Sequence, residues 1–118
     1  MAQLESYSNR YCKKLWLTEF AFTKTKNETE VVEFIQEILP MLECANFIER
    51  YSWWISRYYD DADMQSTWNQ WFWISHANSL LDVSGNSSAL TAAGLAYDYP
   101  YHNQPCAKTS GWFNGTYY

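Results

Sequence analysis

The sequence predicts an α/β fold built on parallel strands. Helical patterns alternate with two short apolar runs in the order helix, strand, helix, strand, and the stretch between the runs is long enough for a crossover helix. In such an arrangement the C-terminal ends of the strands all lie on one side of the sheet. At 118 residues the chain has room for one domain.

The first helix rests on Leu4, Tyr7 and Tyr11 at helical spacing, and it breaks at the basic pair Lys13-Lys14, which suits a helix C-terminus. Leu15-Trp16-Leu17-Thr18-Glu19-Phe20 then reads as a buried strand over 15–20. Simple alternation puts Leu15, Leu17 and Glu19 on one face, with Glu19 at the C-terminal end. A polar loop leads to a second helix announced by Asn27 and Glu30, a capping-box spacing, with a core stripe of Val31, Ile35, Ile38 and Leu42. Pro40 is expected to kink its last turn, because proline lacks a donor and crowds the carbonyl four residues back. A second strand over 48–55 carries Tyr51, Trp53 and Ile55 on one face and Arg50, Ser52 and Trp54 on the other. Residues 56–79 form an aromatic-rich connection whose length suggests a functional loop. Asp82-Val83-Ser84-Gly85 is a turn. A short final helix over 91–97 has Thr91 as its cap and Gly94 placed for close approach to a neighbour.

Composition narrows the function. Seven tryptophans, ten tyrosines and few charges describe a globular chain, and a net charge of −5 supplies no basic surface for phosphates or anionic lipid, so neither nucleic acid nor a membrane is an expected partner. No apolar stretch reaches the roughly 18 residues of a membrane span, and the first residues lack a signal-peptide pattern. Against that, Asn27-Glu28-Thr29, Asn86-Ser87-Ser88 and Asn114-Gly115-Thr116 are glycosylation sequons, a dense set that points to an extracellular or cell-wall parent protein with glycans on Asn27, Asn86 and Asn114. Cys12, Cys44 and Cys106 have no metal-site spacing, and His76 and His102 have no matching ligands, so no metal and no cofactor is expected.

Three blocks carry a resemblance: Leu15-Trp16-Leu17-Thr18-Glu19-Phe20, then Ile48-Glu49-Arg50-Tyr51-Ser52-Trp53, then Asn78-Ser79-Leu80-Leu81-Asp82 running into Leu90-Thr91-Ala92-Ala93-Gly94-Leu95-Ala96-Tyr97. In this order and spacing the chain resembles the end of the alkali-sensitive-linkage-type glycoside hydrolases, glycoside hydrolase family 128. The helix containing Pro40 is similar as well. The resemblance implies a (β/α)8 barrel that hydrolyses β-1,3-glucan with retention, of which this chain holds the last two strands, seven and eight, with flanking helices. A whole barrel needs about 250 residues, so an N-terminal barrel segment is the missing partner. The resemblance makes Glu19 the nucleophile and leaves the acid/base on an earlier strand outside this sequence.

Retaining hydrolysis needs two carboxyl groups about 5–5.5 Å apart. Glu19 is the acid at a strand's C-terminal end, where barrel enzymes keep their catalytic groups; apart from the resemblance, a solvated or loop-capping Glu is the plainer reading. Asp60, Asp61 and Asp63 follow the second strand and read as solvated loop. Aromatic rings offer faces to the C–H groups of sugars, which nominates Trp53, Trp54 and Tyr58 as a β-glucan platform, with Tyr59, Trp68, Trp71 and Trp73 behind them; ordinary packing is the alternative for each. Glu49 and Arg50 read as ties from barrel to helix. Both Cys12 and Cys44 precede a strand by a few residues, hence sit at one rim of the implied barrel, and a Cys12–Cys44 disulfide is expected with Cys106 as the odd thiol. Three roles compete: a piece of an endo-β-1,3-glucanase, a non-catalytic glucan-binding module that keeps aromatic platforms, and a remnant with open sheet edges.

Overall fold

A computed structural model describes residues 1–58, 74–84 and 88–106. Among them the order is α1 (Ala2–Tyr11), β1 (Leu15–Phe20), α2 (Glu28–Cys44), β2 (Ile48–Trp53), a 3₁₀ turn (His76–Asn78), α3 (Ala92–Tyr97) and a last 3₁₀ turn (Tyr101–Asn103). The two strands pair in parallel, with α2 as the crossover.

The helix α2 forms where the apolar positions recur at helical spacing. Val31, Ile35, Leu39 and Leu42 are its buried face, so Leu39 takes the place expected for Ile38, which is half-buried. Each such side chain contributes roughly 1.5–3 kcal/mol on burial. The helix starts where expected, with Asn27 Oδ1 accepting from the Thr29 N–H at 3.0 Å. The reciprocal half of the capping box is rewired, however. Thr25 Oγ1 accepts from the Asn27 N–H, and the Glu30 carboxylate instead accepts from the Thr25 hydroxyl and the Asn27 amide. The helix continues through Pro40 to Cys44.

Around α2 gather Ile48, Trp53, Ala77, Ala93, Ala96 and Tyr101, with Leu4, Leu15, Leu17, Phe20, Phe34 and Tyr97 packed against them. Rings dominate the contact layer: Phe20 meets Trp53 edge-on at 5.2 Å, and Phe22 stacks on Phe34 at 5.0 Å. Tyr51 and Tyr97 are held in the same layer, and burial pushes both phenols up in pKa; for Tyr51 the hydrogen bond to Glu43 and the charge of that carboxylate add to the effect. The α1 helix joins through Leu4 alone of its predicted stripe, while Tyr7 and Tyr11 stay exposed.

Helix α3 is capped by the Thr91 hydroxyl, which accepts from the Gly94 N–H at 3.0 Å. At Gly94 a Cβ would lie 2.0 Å from the Leu80 carbonyl oxygen, which explains the glycine. The chain then doubles back on α2, burying Tyr101, and brings Cys106 to the end of α2. Cys44 and Cys106 form the disulfide, with a Cα separation of 5.5 Å. The expected Cys12–Cys44 pair is therefore wrong. Cys12 is the exposed left-handed residue that ends α1, with its thiol toward the Asn9 carbonyl, and is free.

Candidate active site

One face of the two-stranded sheet packs on the helices and the other is open. Along β1, Leu15, Leu17 and Phe20 face the core while Trp16, Thr18 and Glu19 are exposed; along β2, Ile48, Tyr51 and Trp53 face the core while Glu49, Arg50 and Ser52 are exposed. Strict alternation would not give this. The register slips once in each strand, between Leu15/Trp16 on their partners Ile48/Arg50, and again between Leu17 and Phe20. An extra residue in one strand shifts the facing of everything beyond it. Glu19 thereby leaves the parity of Leu15 and Leu17 and joins the open face.

The slip also decides between the two neighbouring tryptophans. Trp53, nominated for the β-glucan platform, is 6% exposed; it packs on Phe20, Phe34 and Tyr97 and donates its indole N–H to the Asn78 carbonyl at 2.8 Å. It is a core residue and is withdrawn as a sugar platform. Trp54, 41% exposed, follows the last residue of β2, and its main-chain N–H donates to the carbonyl of Phe20, the residue after Glu19, at 2.8 Å, continuing the parallel pairing past the end of β2. Tyr58 is 5% exposed and its N–H donates to Ser79 Oγ, so it too belongs to the interior.

At the opposite end of the open face, Trp16 donates its indole N–H to Glu49 Oε2 at 2.6 Å, and the Arg50 guanidinium lies 5.4 Å from the Trp16 ring centre. Glu49 and Arg50 thus bind across the sheet face and do not tie it to a helix. Glu49 is no partner for Glu19 in a retaining pair. Ile48 is opposite Leu15 and Arg50 opposite Trp16 in the register, so Glu49 is level with Leu15 and Trp16 and Glu19 lies about three residues farther along, roughly 10 Å at 3.3 Å per residue. Asp60, Asp61 and Asp63, which read as solvated loop, lie outside the described residues, as do Tyr59, Trp68, Trp71, Trp73, Asn86 and Asn114. Asn27 is exposed. Among the described residues there is no group of three or more His, Cys, Asp or Glu that could hold a metal ion.

Behind the strand ends lies a buried polar turn that sequence reasoning did not single out. Ser75, Asn78 and Ser79 are fully buried. Ser75 caps the His76–Asn78 turn reciprocally with Asn78, Ser75 Oγ donates to the Thr25 carbonyl at 2.7 Å, and Asn78 Nδ2 donates to the Phe22 carbonyl at 2.9 Å. Its sequence signal is the Ser-x-x-Asn spacing of a cap, which is weak because such spacings are common.

A family model for the glycosyl hydrolase catalytic core matches residues 1–97. Among solved structures, the chain is similar to a family 128 (subgroup II) endo-β-1,3-glucanase from Sorangium cellulosum, at 32% identity and a TM-score of 0.60, covering 81% of this chain and 31% of that one. It is also similar to a subgroup I endo-β-1,3-glucanase from Amycolatopsis mediterranei, a mutant in complex with laminaritriose and laminaribiose, at 24% identity and a TM-score of 0.54, covering 81% and 36%; at that identity the likeness concerns the fold. The chain spans about a third of the length of these structures. No curated protein matches it.

Proposed function

The chain belongs to the glycosyl hydrolase catalytic core family, with a family-128-like domain, and from that premise we propose that it is the nucleophile-bearing part of a retaining endo-β-1,3-glucan hydrolase, the last two strands of a (β/α)8 barrel. The observation that carries this reading is the placement of Glu19 and Trp54 close to the C-terminal ends of adjacent parallel strands, both exposed. In this role Glu19 attacks the anomeric carbon, forming a glycosyl ester as the leaving oxygen takes a proton from a carboxylic acid on another part of the barrel; Trp54 supplies a ring face against the sugar. Trp16, Glu49 and Arg50 fill the barrel floor below them.

By itself the chain binds glucan weakly and does not cleave it. Glu49, the acid on the neighbouring strand, lies too far along the register from Glu19 to complete a retaining pair, and positioned acid catalysis is worth about 10²–10⁴-fold. That observation also favours the second reading, a glucan-binding module with a vestigial Glu19. The two separate when the chain is joined to an N-terminal barrel segment: hydrolysis of laminarin that Glu19→Gln abolishes, with binding retained, supports the enzyme reading, and binding without any hydrolysis supports the module. We further propose an extracellular parent protein. The Cys44–Cys106 disulfide suits an oxidising compartment, and Asn27 can carry a glycan on Nδ2 while Oδ1 keeps capping α2.

A further inference from the structure

We propose that Asn78 is a positioning residue for the Glu19–Trp54 pair, an inference that rests on the glucanase reading of that pair. Phe22 lies three residues past Glu19, on a segment that has left the sheet; Trp53 lies one residue before Trp54. Asn78 holds both. Its Nδ2 donates to the Phe22 carbonyl at 2.9 Å, and its own carbonyl accepts from the Trp53 indole at 2.8 Å. Its remaining side-chain atom is also committed, because Oδ1 accepts from the Ser75 N–H at 3.1 Å. A fully buried amide with every polar atom engaged has one orientation open to it.

The neighbours of Asn78 extend the same brace. Ser75 Oγ fixes the Thr25 carbonyl, Ser79 Oγ accepts from the Tyr58 N–H, and the main-chain N–H groups of Leu80 and Leu81 donate to the carbonyls of Ile55 and Ser56. The segments that follow Glu19 and Trp54 are thus both bound to one turn. A nucleophile tolerates little displacement, since about 1 Å of misplacement can cost on the order of 10²-fold in rate. Asn78 acts at a distance, through the Phe22 main chain that its amide holds and the Trp53 indole that its carbonyl holds.

The test uses N78D in the 118-residue chain. The carboxylate keeps the shape and the acceptor for Ser75 but removes the donor to the Phe22 carbonyl, and protonation of that carboxyl restores an O–H donor. NMR signals of Phe22, the Glu19 side chain and Trp54 are compared with the unsubstituted chain at the same pH. The expected result is displacement of Phe22 and the Glu19 side chain at pH 8 and return toward the reference as the introduced carboxyl protonates, with the Trp53 indole N–H signal, held by the main-chain carbonyl of residue 78, unchanged throughout. Affinity for laminaritriose should fall by about tenfold at pH 8 and recover in the same pH range. Changes confined to residues 75–79, or displacement without acid recovery, would overturn the proposal. If the reference chain does not bind laminaritriose, the glucan reading fails while the NMR comparison still decides the role of Asn78. Should N78D fail to fold, Ser75→Ala removes the hydroxyl's bonds to the Thr25 carbonyl and the Ala77 N–H but leaves the Asn78 amide its bond to Phe22; the proposal requires Thr25 and Ala77 signals to move with Glu19 unmoved, and equal movement of Glu19 would overturn it.

Discussion

The main-chain N–H of Trp54 donates to the carbonyl of Phe20 at 2.8 Å, so Trp54, just past the end of β2, is bound to the residue that follows Glu19 at the end of β1. Trp53, one residue earlier, is turned the other way into the core.

These two tryptophans should therefore respond oppositely to truncation. Trp53→Ala removes a buried ring and its indole bond and is expected to cost about 3–5 kcal/mol, which for a chain of this size can prevent folding. Trp54→Ala should leave stability within about 1 kcal/mol and abolish interaction with laminaritriose. Urea midpoints and sugar titration of both variants check this.

Much of this arrangement was legible beforehand because it is local. Val31, Ile35 and Leu42 recur at helical period, Asn27 and Thr91 are capping residues ahead of apolar runs, and Gly94 stands where a helix meets a carbonyl. The facing of Glu19 was not legible, because a register slip between Leu17 and Phe20 is a property of two strands and leaves no mark in either alone. The disulfide escaped for a similar reason: Cys106 reaches Cys44 only because Tyr101 buries against α2 and turns the tail back.

The disulfide supplies its own prediction. It closes a loop with a sequence separation of 62 residues, and in the chain-entropy picture this constrains the unfolded chain by about 4 kcal/mol. Reduction or paired substitution of Cys44 and Cys106 with Ser should lower the melting temperature markedly, whereas Cys12→Ser should leave it unchanged. Thermal melts with and without reductant measure both.

Gly94→Ala places a methyl group 2.0 Å from the Leu80 carbonyl oxygen, which also accepts from the Thr91 N–H. Neither backbone has room to yield without moving α3. A loss of about 1–3 kcal/mol is expected, although alanine is the better helix former; a gain in the urea midpoint would show that α3 does not pack there.

Tyr51 gives a pH signature. Its folded-state pKa is raised above the ordinary value of 10.0 by burial first and by Glu43 second. The folded chain then holds its phenolic proton where the unfolded chain has lost it, so this contribution is fully present below pH 10 and declines as pH rises through the folded pKa. Tyr51→Phe should flatten the alkaline fall in stability relative to the unsubstituted chain. Urea midpoints from pH 8 to 11, taken for both proteins, would show parallel curves if the phenol were not held in this way.

The most direct test of the central claim is an NMR titration of the isotope-labelled chain with laminaritriose, followed by a count of new reducing ends with laminarin. The account predicts shifts at Glu19 and Trp54 on the open face, their loss in Trp54→Ala, and no reducing ends above a Glu19→Gln control. Shifts centred instead on the cavity of about 290 Å³ lined by Leu42, Glu43, Ile48, Glu49, Arg50 and Tyr51, or no shift at Glu19 and Trp54 at millimolar sugar, would contradict it.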